Sequence, residues 1–213
     1  MPEAGGLLWT CGGVAVRLAG APEAPGLRHL LAGRLLAKFA PDGFAPGISG
    51  GADSPADFRL EHDSLGRPQA LSAQGAPLGV GLSFSRHGGW LWAAAAAHAG
   101  LGVDAAGAED FSGDYPDAKA FGAEELAAAR RLSASLEQAR ALLWSLKEAA
   151  AKAAGTGLRT AFTAYAASGL RREGAQFCCT MTTPLGPACA RAEVVGGVHI
   201  AVAVHGPAAK ENP

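Results

Sequence analysis

From Ala123 to Ala154 no glycine or proline interrupts a run rich in Ala, Leu, Glu, Arg and Lys, in a chain that otherwise spends 30 glycines and 13 prolines over 213 residues. These are strong helix formers, and without a breaker the hydrogen-bond ladder continues. Leu132, Leu136, Ala139, Leu143, Leu146 and Ala150 form one apolar stripe along it, with Gly155 and Gly157 as stop signals. The length predicts one long helix or two helices with a bend. Whatever else the chain forms must cover that stripe.

Glycine and proline punctuate the remainder into short elements. Leu7 to Leu18 reads as a strand with a glycine interruption, and Pro22 and Pro25 break the chain before an amphipathic helix at Leu27 to Phe39. There Leu27, Leu30, Leu31, Leu35 and Phe39 make the apolar stripe, while Arg28, Arg34 and Lys38 lie off it. Pro41 to Asp57 reads as a loop, Phe58 to His62 as a strand, Asp63 to Gly66 as a turn, and the chain after Pro68 as a second irregular stretch. From Gly79 to Asp104 the pattern predicts an antiparallel arrangement: Val80 to Phe84, a Gly88-Gly89 turn, Trp90 to Ala97, and a turn into Leu101 to Asp104. Ala93 to Ala97 would suit a helix on propensity, but the flanking glycines leave too few residues for one.

An acidic loop, Gly107 to Asp117, precedes the helical run. After it, Phe162 to Tyr165, Gln176 to Thr182, Ala190 to Val195 and Val198 to Val204 read as strands, and Pro207 to Pro213 as a frayed tail. The order is strand, helix, strands, and then the same again. That predicts an α+β class built of two units, each of about 100 residues, although the halves share no visible sequence identity.

Charge narrows the partners. Eighteen basic residues against nineteen acidic ones give a formal net charge of −1, which excludes a broad basic surface for nucleic acid or an anionic membrane. An anionic ligand must be met by a local cluster. Half the chain is apolar, which is the composition of a globular domain. Cys11, Cys178, Cys179 and Cys189 lack C-x-x-C spacing and are expected as buried free thiols in a cytoplasmic protein. Met1 to Leu8 has no basic segment before an apolar one, so no secretory signal is expected there, and Trp90 to Ala97 is too short to span a membrane.

Two places carry candidate chemistry. In Trp144-Ser145-Leu146-Lys147-Glu148-Ala149-Ala150-Ala151-Lys152, Glu148 and Lys152 share a helix face, with Trp144 one turn earlier. On spacing alone this is an exposed ion pair and a core tryptophan. In Gly102-Val103-Asp104 a carboxylate ends an apolar strand, which reads as a turn-starting Asp, since an ionised one is costly there unless it meets a cation or donors.

Taken together, Gly66-Arg67-Pro68, Ser83-Phe84-Ser85-Arg86-His87-Gly88-Gly89-Trp90, Gly102-Val103-Asp104, Phe121-x-x-x-Glu125 and Trp144-x-x-Lys147-Glu148-x-x-x-Lys152 resemble the 4′-phosphopantetheinyl transferases of the two-half, surfactin-synthetase-activating type. The motifs stand in the family's order over roughly residues 28 to 158, and W-x-x-K-E-x-x-x-K is the most specific. The resemblance implies two similar α+β halves related by a pseudo-twofold, each a small antiparallel sheet on a long helix. Residues 1–101 would form the half that binds coenzyme A, residues 102–213 the half with metal and catalytic residues, and the active-site cleft would lie between them. It further implies transfer of the phosphopantetheine arm of coenzyme A to a serine of an acyl or peptidyl carrier protein, releasing adenosine 3′,5′-bisphosphate. Partners are then coenzyme A and a carrier protein, with no nucleic acid and no membrane, and a monomer is expected.

The implied roles fall on particular residues. Asp104 and Glu148 match the Mg²⁺ carboxylates, whose hard oxygens suit that ion. Glu148 is the general base for the serine hydroxyl, and Lys152 neutralises charge growing on the phosphates. Lys147 points about 100° away from Glu148 on a helix, which suits a supporting contact. For coenzyme A the matching residues are Arg28, Arg67, Ser85, Arg86, His87 and Lys152, with Arg67 in place of the family's usual lysine and Arg86 in place of its common histidine. Ala106 stands where many members carry a second carboxylate, with a water, Glu109 or His87 as substitutes. That departure also motivates an alternative, a coenzyme A or carrier-protein binding module of the same fold with weakened catalysis. The loop Ala105 to Phe121 and a helix face with Arg130, Arg131 and Arg140 are candidate carrier-docking elements.

Overall fold

Glycine pairs and isolated prolines cut the first half into strands too short to be stable singly, so they pair edge to edge. The computed structural model describes residues 4–38, 58–97, 100–156 and 160–205. Strands β1 (Ala4–Cys11) and β2 (Val14–Pro22) precede helix α1 (Leu27–Ala37), and β3 (Phe58–His62), β4 (Pro68–Ser72), β5 (Pro77–His87) and β6 (Trp90–Ala97) follow. They make an antiparallel six-stranded sheet in the order β1-β2-β6-β5-β4-β3. The second sheet has the order β7-β11-β10-β9-β8, formed by β7 (Gly100–Gly107), β8 (Ala166–Glu173), β9 (Gln176–Thr183), β10 (Gly186–Val195) and β11 (Val198–His205). Helices α2 (Asp117–Ala120), α3 (Ala123–Leu132) and α4 (Leu136–Ala153) lie between β7 and β8 in the chain. Setting β1 aside, both sheets place the strand before their helices next to their last strand, then run back through the others in reverse order.

The layers stack as helix, sheet, sheet, helix. Leu31, Leu35 and Leu36 of α1 pack on Leu91, Ala93 and Ala95 of β6, while Trp92, Ala94 and Ala96 from its other face meet Val103, Ile200 and Val202 of the second sheet. Covered on both faces, β6 carries a continuous apolar run rather than an alternating one, and alanine suits the narrow gap. Ala201 and Ala203 of β11 face α4, where Ala149, Ala150 and Leu146 close the third apolar layer.

Several expected elements differ. Leu7 to Leu18 is a hairpin, because Gly12 and Gly13 take left-handed φ values of 56° and 77° and reverse the chain. Helix α1 has only 11 residues, and Leu30 is exposed rather than part of the buried stripe. The stretch after Pro68, read as irregular, is β4 and the start of β5. Asp104 lies inside β7, not at a strand end, and β7 joins the second sheet instead of pairing with β6. The expected division at 101/102 falls within β7, since the change of sheet occurs between Ala97 and Gly100. Of the two forms expected for the long helical run, the structure has the second, two helices, broken at Ser133 to Ser135, where the Ser135 hydroxyl caps α4 by accepting from the Gln138 N–H at 3.2 Å. The acidic loop contains a 3₁₀ turn at Ala108–Phe111 and ends where α2 begins, and Phe162–Ala164 is a 3₁₀ turn, with the strand beginning at Ala166.

Phe39, the loop from Pro41 to Asp57, the stop at Gly157 and the tail from Pro207 lie outside the described residues. The four cysteines are free thiols. Among the described residues no helix is long and apolar enough to cross a membrane.

Candidate active site

The site starts from a close approach. An added Cβ on Gly102 would collide with the Ala149 carbonyl oxygen, and one on Gly100 would meet the Ala153 oxygen at 2.5 Å. Glycine at these positions lets α4 lie directly on β7, with alanines as the helix's contact face. That brings the Glu148 and Lys152 side of α4 to Asp104, whose side chain points to the same face of β7 as Gly102.

Lys152 Nζ donates to Asp104 Oδ1 at 2.6 Å and to the Val103 carbonyl at 3.0 Å. The bland reading of an exposed Glu148/Lys152 pair is therefore overturned. Ser85 Oγ donates to Asp104 Oδ1 at 2.9 Å and accepts from the Ala105 N–H at 3.2 Å, while Ser83 Oγ accepts from the Val103 N–H at 3.0 Å. Strand β7 is the edge of its sheet, and two serines of β5 satisfy the donors that the missing neighbour would have taken. Burial pushes the Asp104 carboxyl above its ordinary range, with Lys152 and Ser85 pulling the other way. Glu148 is pushed up to about 7 by burial and by the nearby Asp104 charge, opposed by Lys152.

Lys147 faces elsewhere. It is fully buried, ion-pairs with Glu125 and donates to the Ala120 carbonyl at 2.8 Å. Glu125 accepts from the Gly122 N–H at 2.7 Å and from the Ala167 N–H at 2.8 Å, and the rings of Phe121 and Phe162 flank the ammonium at 5.6 and 5.7 Å. Trp144 stacks on Phe162 at 4.4 Å. Lys147 and Trp144 thus tie α4 to α3 and β8, and burial lowers the lysine's affinity for its proton.

A cavity of about 610 Å³ opens beside Lys152, between β4, β5 and the C-terminal end of α4. Arg28, Arg67, Lys152 and His62 line it and, among the described residues, no acid does. The Arg28 guanidinium lies 5.8 Å from the centre of the Phe84 ring, and its buried Nε has no partner among the described residues. Arg67 ion-pairs with Asp63 at 2.6 Å and lies against Gly155, just past the end of α4.

The remaining sequence candidates sit apart from this cavity. Arg86 ion-pairs with Glu23 at 2.5 Å beside a separate hollow that Arg28 also lines. His87 meets Glu109 at 2.9 Å and Asp110 at 3.4 Å. Ala106 is buried against Phe111 and the α4 layer. Arg140 is not a solvated docking residue: it is buried, holds Asp117 through two nitrogens at 2.7 and 2.8 Å and donates to the Phe111 carbonyl. Arg130 and Arg131 are exposed. Sequence reasoning quoted Ser83 within a motif but gave it no role, and passed over His62. Ser83 had a signal, two serines at alternate positions of an apolar strand and so on one face. His62 had none, because the fold alone brings β3 to the cavity.

Asp104 and Lys152 thus meet across β7 and α4 beside a cavity lined by cations, with Glu148 one helical turn before Lys152. Residues 100–203 match the model of the 4′-phosphopantetheinyl transferase superfamily. The match spans just under half the chain and contains all three of those residues. It also covers β7, α2 to α4 and nearly the whole second sheet, so the similarity to the phosphopantetheinyl transferases includes the strand and helix that carry the site. Arg28, Arg67, Ser85, Arg86 and His87 fall outside it. No curated protein matches the chain.

Proposed function

We propose that the protein transfers the 4′-phosphopantetheine arm of coenzyme A to a serine of an acyl or peptidyl carrier protein, releasing adenosine 3′,5′-bisphosphate. The observation that carries this reading is Lys152, which contacts Asp104 at 2.6 Å and lines the cation-rich cavity at the same time. A highly anionic substrate held in that cavity meets the carboxylates through this one side chain.

Arg28 and Arg67 bind the phosphates of coenzyme A, and the Arg28 Nε, which has no partner among the described residues, is a donor for one. Ser85 holds Asp104 in place by its hydroxyl. Arg86 and His87 serve the ligand only by leaving Glu23 and Glu109, which makes them weaker contributors. Glu148, pushed up to about 7, is suited to accept the serine proton near neutral pH. Lys152 stays beside the phosphates and offsets the charge that grows as the pyrophosphate linkage breaks.

The donor set fits Mg²⁺. Asp104 and Glu148 are hard-oxygen ligands close enough for the charge of one to disfavour ionisation of the other, a repulsion that a divalent cation relieves. Among the described residues no three His, Cys, Asp or Glu side chains form a metal cage, so Asp104 and Glu148 would be the two residues that hold the ion. Bound there, Mg²⁺ would supply charge neutralisation to the pyrophosphate linkage.

In this reading the two sheets with their helices are the pseudo-twofold halves of the two-half type, the first two residues of β7 moving from the expected 1–101 half to the expected 102–213 half, with the cleft between them and a monomeric cytoplasmic protein as the working unit. An apo carrier protein incubated with the enzyme, coenzyme A and Mg²⁺ is expected to gain the mass of one phosphopantetheine arm. Asp104→Ala is expected to slow that gain by about 10²-fold or more. No mass gain with any class of carrier leaves only a binding module, and a gain that Asp104→Ala does not slow removes the site.

A further inference from the structure

Away from this site, two thiols that are distant in sequence meet. Cys11 closes β1 and Cys189 lies in β10, so one belongs to each sheet. The Cys11 Sγ–H donates to Cys189 Sγ at 3.0 Å. Cys11 is fully buried, whereas Cys189 is half-buried and packs at the rim of the apolar layer between the sheets. The β1–β2 turn presses on it: a Cβ on Gly12 would stand 3.1 Å from Cys189 Cβ.

We propose that Cys11 and Cys189 form a reversible disulfide that joins the two sheets, with Cys189 as the sulfur that reacts first. The sulfurs need to close by only about 1 Å to reach bonding distance. Their surroundings divide the roles. The Cys189 thiol is drawn toward ionisation by the Cys11 donor above all, helped by the Gly12 N–H, Arg191 and Arg171, while burial opposes it. The Cys11 thiol is held protonated by the same contact and by burial. A partly accessible thiolate beside a buried thiol is the arrangement of an attacking and a resolving cysteine.

Cys178 and Cys179 are the internal contrast. As neighbours on β9 they point to opposite faces of the sheet and cannot bond to each other there. Both are buried, and burial pushes Cys179 up to about 12 and Cys178 upward as well.

The oxidant is a small disulfide such as oxidised glutathione. Cys189 Sγ attacks one of its sulfurs, the S–S bond breaks and one small thiolate leaves. Cys11 Sγ then attacks the Cys189 sulfur, its proton goes to the departing thiolate, and the second small thiol is released. Two electrons pass from the protein thiols to the small disulfide, and excess small thiol reverses both steps.

The test treats the purified full-length protein with oxidised glutathione at neutral pH and follows intact mass and non-reducing peptide maps. The wild type is expected to lose two hydrogens, to yield a peptide pair linked through Cys11 and Cys189, and to melt about 5 °C or more higher, because the bond closes a very long loop. Cys11→Ser is expected to stop at one glutathionyl adduct on Cys189, and Cys189→Ser to gain neither adduct nor crosslink. An unchanged wild-type mass, or a crosslink through Cys178 or Cys179 instead, overturns the pair. An adduct on Cys11 in Cys189→Ser overturns the assigned order of attack. The wild-type measurement stands whether or not either variant folds.

Discussion

Helix α4 carries two ion-paired lysines five residues apart, and they have opposite surroundings. Lys147 is sealed: its side chain has no exposure, its partner Glu125 is satisfied by two backbone N–H groups, and two aromatic rings close over the ammonium. Lys152 is open, with 30% of its side chain exposed, one carboxylate ahead of it and a cation-lined cavity beside it. A lysine with no remaining access can only hold structure. One whose ammonium still faces a cavity can also meet a ligand. Identical residue types on one helix thus divide between architecture and chemistry according to what covers them.

The sharpest way to break this contrast is Lys147→Met. It leaves Glu125 charged and buried without its cation, which is expected to cost about 3–5 kcal/mol of folding stability. Urea unfolding measures this, and a loss below 1 kcal/mol would mean that the pair is dispensable. Lys152→Met should do the reverse, slowing transfer by about 10²-fold at saturating coenzyme A, since it removes charge stabilisation at the phosphates. Its stability loss should be less than half that of Lys147→Met, because Asp104 keeps the Ser85 hydroxyl and can take up a proton. Equal effects of the two substitutions on melting and on rate would erase the distinction.

The smallest effect concerns Glu148. Its folded pKa, raised to about 7, means that its contribution to stability is fully present below the unfolded value near 4.5 and is lost as pH rises through 7. In chelator, Glu148→Gln should therefore become more stable relative to the wild type between pH 5 and 8. For a half-buried, partly screened side chain the gain is about 1–2 kcal/mol. Melting curves across that range test it, and a difference that shrinks with pH would show that Glu148 is not the group under repulsion.

Much of the fold was legible. The Gly88-Gly89 turn, β6 and β11 follow from glycine pairs and unbroken apolar runs, and the four free thiols follow from cysteine spacing. Strand β8 was not, because Ala166–Glu173 lies at the sheet's edge, mostly exposed, and carries no apolar alternation. Within the candidate site, the i, i+4 spacing of Glu148 and Lys152 was visible, but it suggested that they pair with each other. Lys152 instead crosses to β7, and Ser85 reaches Asp104 from the other sheet. Contacts between sheets leave no periodic trace in the chain. Arg140 shows the same gap from the other side: its helix position suited a solvated face until Asp117 and the Phe111 carbonyl enclosed it.

By itself, then, the sequence determined local chemistry: a breaker-free run had to be helical, glycine pairs had to turn, and a near-neutral charge left anion binding to a local cluster. Tertiary structure decided which charges stay free. Burial depth and the approach of distant strands set the fate of each side chain, and these depend on the stacking of two sheets rather than on any window of residues. Gly102 shows the two levels meeting, since its missing side chain is written in the sequence but matters only because α4 settles onto β7 at that point.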